Sequence, residues 1–171
     1  MRLGFPFAIA FFAVAVFSGC RDAQQNAAAS LTANGIATQF NSAGQVSRVD
    51  ATEASLPDDF WTTLTKFPEL NTLVLSSVEF SEHELAALDS FEKLRSFDVS
   101  YTDVSSVGIG HLSRLVSLQD LALNGVELDG KCIQTLAGMR QLRSLALIQT
   151  NLNDEQIEQL QSALPGCLIA R

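Results

Sequence analysis

An α/β solenoid of about five 24-residue strand-helix units is the fold class predicted by this 171-residue sequence, with an N-terminal β-hairpin cap and a short C-terminal closing strand. Three observations predict it. Four segments align without a gap: FPELNTLVLSSVEFSEHELAALDS from Phe67, FEKLRSFDVSYTDVSSVGIGHLSR from Phe91, LVSLQDLALNGVELDGKCIQTLAG from Leu115 and MRQLRSLALIQTNLNDEQIEQLQS from Met139. Within each, apolar residues recur first at spacing two and then at three to four, the periods of a strand and of a returning helix. The flanking segments depart from the pattern, as stacked repeats require where their outermost faces meet water.

In chain order, MRLGFPFAIAFFAVAVFSGC combines one basic residue (Arg2), an apolar run from Phe5 to Phe17, and Ser18 and Gly19 before Cys20. This is the layout of an export signal over residues 1–19. The run is shorter than the ~20 residues that span a ~30 Å hydrocarbon core. Phe17-Ser18-Gly19-Cys20 resembles a bacterial lipobox, with Phe17 where that box more often carries Leu. The resemblance implies cleavage before Cys20 and acylation of that cysteine, palmitate included. Each buried methylene contributes about 0.8 kcal/mol to such an anchor. Residues 20–34 then read as a lipidated cysteine and a flexible tether, since RDAQQNAAASLTAN offers almost no bulky apolar residue to bury. A short helix is the competing reading, because Ala and Gln are good helix formers.

The folded domain is expected over residues 35–171. Two alternating stretches around Asn41-Ser42-Ala43-Gly44 signal the hairpin that covers the first repeat. A fainter copy of the unit follows, with Val46, Val49, Ala51, Leu56, Trp61 and Leu64 in its apolar slots. In the four clear copies the strand slots hold Leu70, Leu94, Leu118 and Leu142; Leu73, Phe97, Leu121 and Leu145; and Leu75, Val99, Leu123 and Leu147. The returns carry Leu85, Ile109, Ile133 and Ile157, then Leu88, Leu112, Leu136 and Leu160. Ser81 with Glu84 and Asn153 with Gln156 match the box that satisfies free amides at a helix start, and Asp129 can cap the third return. Gly108 and Gly110 predict a looser or 3₁₀ turn in the second return.

LxxLxL followed by an apolar residue five positions on resembles the leucine-rich repeat signature. The units resemble those of bacterial leucine-rich repeat proteins that read LxxLxLxxTxLTDxxLxxLxxL, over roughly residues 36 to 169. Likewise LPGCLI resembles their LPxCxI closing strand, which implies that Cys167 and Ile169 turn into the last core layer. Val78, Thr102, Val126 and Thr150 stand where many members place Asn or Cys, so no asparagine ladder is expected there. For function the resemblance implies binding of proteins or peptides by the strand face.

Chemistry is sparse. The net charge is −8, and loss of residues 1–19 would remove only Arg2 from the charged set, which argues against nucleic acid and anionic lipid surfaces as partners. His83 and His111 occupy different slots, so neither a metal site nor a catalytic pair is expected. Asp58/Asp59, Glu82/Glu84 and Asp154/Glu155 fall at the mouths of returns, where carboxylates favour the positive end of a helix dipole. No glycine-rich phosphate loop or Gly-x-Ser-x-Gly elbow occurs, and no cofactor is expected. Cys132 and Cys167 fall on different sides of a coil and read as free thiols.

What remains is a surface strip formed by the residues between the strand leucines. Its candidate ligand-binding members are Arg48, Asp50, Val74, Ser76, Asp98, Ser100, Tyr101, Asp120, Asn124, Ile148 and Gln149, with Tyr101 and Ile148 as apolar contact points. The leading expectation is a non-enzymatic, membrane-anchored lipoprotein facing the periplasm or the cell surface, binding an envelope protein or peptide through this concave strip. Alternatives are a self-associating structural envelope lipoprotein and, from Asp50, Asp98 and Asp120, an acidic-cleft hydrolase.

Overall fold

The computed structural model describes residues 10–171, with side chains from residue 21 onward. The export signal over residues 1–19 and the acylation of Cys20 fall outside the residues whose side chains are described. Among the described residues no helix is long and apolar enough to cross a membrane.

The described residues open with helix α1 (Ala10–Ala33) and an antiparallel hairpin, β1 (Ala37–Phe40) and β2 (Val46–Asp50). Strands and returns then alternate: α2 (Phe60–Leu64), β3 (Thr72–Val74), a 3₁₀ helix (Glu82–Ser90), β4 (Ser96–Asp98), α3 (Ser106–Leu112), β5 (Asp120–Ala122), α4 (Gly130–Gly138), β6 (Ser144–Ala146), α5 (Asp154–Ala163) and β7 (Leu168–Ala170). The seven strands form one mixed sheet in sequence order. From β2 onward every pair is parallel, so each connection is a crossover rather than a tight turn.

The register follows the sequence period: Arg48 lies beside Thr72, and the row continues through Ser96, Asp120, Ser144 and Leu168. Hydrogen bonds extend the seam beyond the strands. Asn71 N–H donates to the Ser47 carbonyl, Arg95 to Asn71, Gln119 to Arg95, Arg143 to Gln119 and Leu168 to Arg143, at 2.7–2.9 Å. Inside the turns the strand centres Val49, Leu73, Phe97, Leu121 and Leu145 are buried, as are Phe67, Phe91, Leu115 and Met139 and the apolar residues of the returns from Leu85 to Leu160. These residues form one continuous core, so no single unit closes its own interior.

Three local expectations are overturned. The segment 21–34 is no tether: it is helical to Ala33, and Gln24, Ala27, Ala28 and Leu31 are buried. Their i, i+3, i+4, i+7 spacing gives one face, and alanines let that face sit close without bulky side chains. Gln24 Oε1 also accepts the Val46 N–H at 3.3 Å. The second return, expected to be loose, is the α-helix α3. Gly108 is where the structure has no room for a side chain: a Cβ there would lie 2.3 Å from Val104 Cγ2 and 3.2 Å from Leu85 Cδ1. Conversely, the return after β3 is 3₁₀, although Ser81 N–H donates to Glu84 Oε2 at 2.7 Å as its box requires.

Other local features match. Asn41 Oδ1 accepts from Ala43 and Gln45 in the hairpin turn, and Gly44 has φ +74°. Asn153 and Gln156 exchange both hydrogen bonds at 2.9 Å, and Asp129 accepts from Cys132 N–H at 2.8 Å. That bond holds the Asp129 carboxyl below the usual carboxylate range. Cys132 is buried, Cys167 is half-buried, and both are free. Cys167 and Ile169 pack against the core as partly buried residues. Trp61 is only half-buried, edge-on to Phe60 and Phe80 with ring centroids 5.3 and 6.2 Å away; Phe60 takes the interior.

Candidate binding face

Alternation in the short strands puts the leucines inside and leaves the intervening residues on the outer sheet face. Register then sorts them into rows. One row reads Arg48, Thr72, Ser96, Asp120, Ser144, Leu168, and its neighbour reads Asp50, Val74, Asp98, Ala122, Ala146, Ala170. Charged groups therefore fall on β2, β4 and β5 (Arg48, Asp50, Asp98 and Asp120), whereas β6 and β7 carry only small or apolar ones.

At the corner after each of β2 to β6 a residue adopts the left-handed region: Glu53 (φ +57°), Ser77 (+56°), Tyr101 (+58°), Gly125 (+67°) and Gln149 (+60°). For residues other than glycine this conformation costs roughly 1–2 kcal/mol. It is held because the corner amide points at the next unit. Glu53 N–H donates to Ser76 O, Ser77 to Ser100 O, Tyr101 to Asn124 O and Gly125 to Ile148 O, at 2.7–3.0 Å.

Tyr101 occupies the centre of this row. A Cβ on Gly125 would lie 2.4 Å from Tyr101 Cδ1 and 2.6 Å from Cε1, so the ring crosses the one corner that lacks a side chain. Its hydroxyl donates to Gln149 Oε1 at 2.9 Å, spanning two units. Tyr101 remains 54 % exposed, and Ile148 on the neighbouring row is 46 % exposed. The result is an aromatic anchor fixed at both ends, with apolar surface open to solvent.

The remaining strip residues divide by role. Arg48 donates to Asp50 Oδ2 at 2.8 Å, and Asp50 Oδ1 accepts from the Thr52 amide and hydroxyl. Burial pushes the Asp50 carboxyl up, but the Thr52 and Arg48 hydrogen bonds and the Arg48 charge outweigh it and hold the group below its ordinary value. Asp98 Oδ1 accepts from Ser100 N–H at 2.8 Å, while Asp120 is exposed. Asp50 and Asp98 sit two strands apart with Val74 between them, roughly 9.6 Å at strand spacing, so they form no close carboxylate pair.

Val74 and Ser100 are buried and offer little to a ligand; Ser76 is half-buried. Ser100 Oγ receives the Asn124 amide and side chain at 3.2 and 3.1 Å, and Asn124 Oδ1 receives Ile148 N–H at 2.9 Å. Asn124 is thus an internal strut between three units. Asn151 plays a similar part, accepting from Leu128 N–H and donating to Leu128 O. Asparagine bridges do form, two residues ahead of and one residue after the slot judged by sequence. The threonines of that slot, Thr102 and Thr150, bond within their own units.

Glu79, Asp103 and Glu127 line the exit edge of successive units, all exposed, whereas Arg95, Arg140 and Arg143 lie on the entry edge. The recurrence at 24 residues was present in the sequence, but only the register says which edge each row occupies. His83 is exposed on the 3₁₀ helix and His111 half-buried on α3, and among the described residues no three His, Cys, Asp or Glu side chains gather as a metal site.

No family model matches this chain, and no curated protein sequence does. Among solved structures it is similar to an internalin C2 from Listeria monocytogenes, at 13 % identity over 86 % of this chain and 81 % of that chain, with a TM-score of 0.44.

Proposed function

We propose that the chain is a leucine-rich-repeat-type solenoid that acts as a non-enzymatic interaction module, binding a protein or peptide of the cell envelope through its strand face while acylated Cys20 anchors it to a membrane. The observation that carries this reading is Tyr101, braced over Gly125 and bonded to Gln149 with half its surface open beside Ile148. A rigid aromatic beside an exposed aliphatic side chain loses little rotamer freedom on binding, the property of interface hot spots. The tying of Asp50 to Arg48 and of Asp98 to Ser100 favours this reading over an acidic hydrolase.

The test places a photo-cross-linker at Ile148 in native membranes, with a control at exposed Glu158 on α5. Capture of one defined polypeptide from Ile148 alone, reduced about tenfold or more by Tyr101→Ala, is the expected result, since a central aromatic contributes ~2 kcal/mol or more. Equal capture from both positions would exclude a dedicated strand-face site. Incorporation of an alkyne fatty acid, abolished by Cys20→Ser, tests the anchor separately.

A second reading, self-association of an envelope lipoprotein, is favoured by the opposite charges of the two edges. Sedimentation should then show oligomers that dissociate as salt is raised from 0.05 to 0.5 M, values chosen to bracket a Debye length of about 10 Å.

A further inference from the structure

The entry edge between the last two units holds a cleft of about 740 Å³, floored by Leu142 and Leu164 and lined by Ser117, Gln119, Arg140 and Arg143. Its size falls within the range of roughly 300–1,000 Å³ typical of small-molecule sites. Four ion pairs occur among the described residues, Arg48–Asp50, Lys93–Glu69, Arg114–Asp89 and Arg171–Asp154, and none involves Arg140 or Arg143. Two unpaired guanidinium groups thus line one concavity of a chain whose net charge is −8.

The setting is rigid. Arg143 N–H donates to Gln119 O at 2.8 Å and its carbonyl accepts from Leu168 N–H at 2.7 Å, so its backbone is locked into the seam between β5, β6 and β7. Gln141 Nε2 donates to Leu115 O at 3.3 Å, which ties the cleft wall to the preceding unit. The half-buried thiol at the rim, Cys167, adds no negative charge, because burial and the nearby Asp120 both push it up. Asp120 itself pairs with neither arginine, and Glu79, Asp103 and Glu127 lie along the opposite edge.

We infer that this cleft is a binding site for a small organic anion, a carboxylate or phosphate carried beside an apolar group, with Arg140 and Arg143 clasping the oxyanion and the exposed Val116 and Pro165 of the same lining meeting the apolar part. Arginine suits this role because its planar fork donates two parallel hydrogen bonds to either oxyanion, and Ser117 and Gln119 supply neutral donors beside it. The site is distinct from the Tyr101 face and does not depend on what that face binds.

Calorimetry on the full chain tests it, with phenyl phosphate and benzoate as probes and benzamide as the neutral control. Saturable binding of one or both anions without benzamide binding is expected, and which anion binds identifies the headgroup. Arg140→Ala and Arg143→Ala should each weaken binding about tenfold or more, the scale of a lost charge-assisted bond, while Lys131→Ala on α4 should not. All three positions are exposed, so the variants should keep the circular dichroism of the parent. Binding of neither anion, equal binding of benzamide, or a loss as large in Lys131→Ala as in the arginine variants would overturn the assignment.

Discussion

Gly125 and Tyr101 show how much can rest on one missing methyl group. At φ +67°, and with a Cβ that would meet the Tyr101 ring at 2.4 Å, Gly125→Ala carries both a backbone cost and a displaced aromatic. Urea denaturation should show a loss of about 1–2 kcal/mol, and partner capture through Ile148 should fall with it, whereas Tyr101→Phe should leave stability within about 1 kcal/mol because it removes only an exposed hydrogen bond. Cys132 gives a pH signature. Burial pushes its thiol from 9.0 to about 11, so the folded chain keeps a proton that the unfolded chain releases sooner. The resulting stabilisation is full below pH 9 and is lost as pH rises through 11. Urea midpoints should therefore decline more steeply across that window in the parent than in Cys132→Ala. At this scale strand alternation accounts for the exposure of Ile148, which follows the buried Leu145 and Leu147, but not for that of Tyr101, which alternation from Phe97 and Val99 would turn inward and which the left-handed corner turns out. The strut role of Ser100 and Asn124 was not legible in the sequence, since it depends on atoms 24 residues apart meeting across a seam.

The returns differ in how far local signals decide them. The caps of α4 and α5 are set within three residues by Asp129 and Asn153, and such short-range chemistry reads directly from sequence. Gly108 shows the opposite case: intrinsic propensity marks it as a helix weakener, yet it lies within α3, packed against Val104 and Leu85. Propensity alone says that Gly108→Ala gains about 1 kcal/mol. Packing says that it loses about 1–3 kcal/mol, because the new methyl has no room, and a lowered urea midpoint is the outcome expected here. The α1 segment departs from the tether expected of its composition for a related reason. An alanine face stabilises a helix only when another surface lies within reach, and that surface, the hairpin and first strand, is remote from any local pattern.

Across the whole molecule the repeat period was the most legible feature, since every strand pair from β2 to β7 keeps the 24-residue step that the aligned leucines prescribe. The expected hairpin does cover the first repeat, but it does not close the first layer alone: α1 adds Leu31, Ala27 and Ala28 to the same core as Ile36 and Val46. Leu31→Ala should cost about 2–4 kcal/mol. Native-state hydrogen exchange should show amides of β1 and β2 losing protection before those of β5, because stacked units pass stability only to their neighbours. The unbroken seam also limits which changes of chain length the molecule tolerates. A duplicated segment of one whole period, spliced at a left-handed corner, would find the same carbonyls waiting above and below it. A splice one residue short or long would turn the following leucines outward, so growth of such a chain is restricted to complete units.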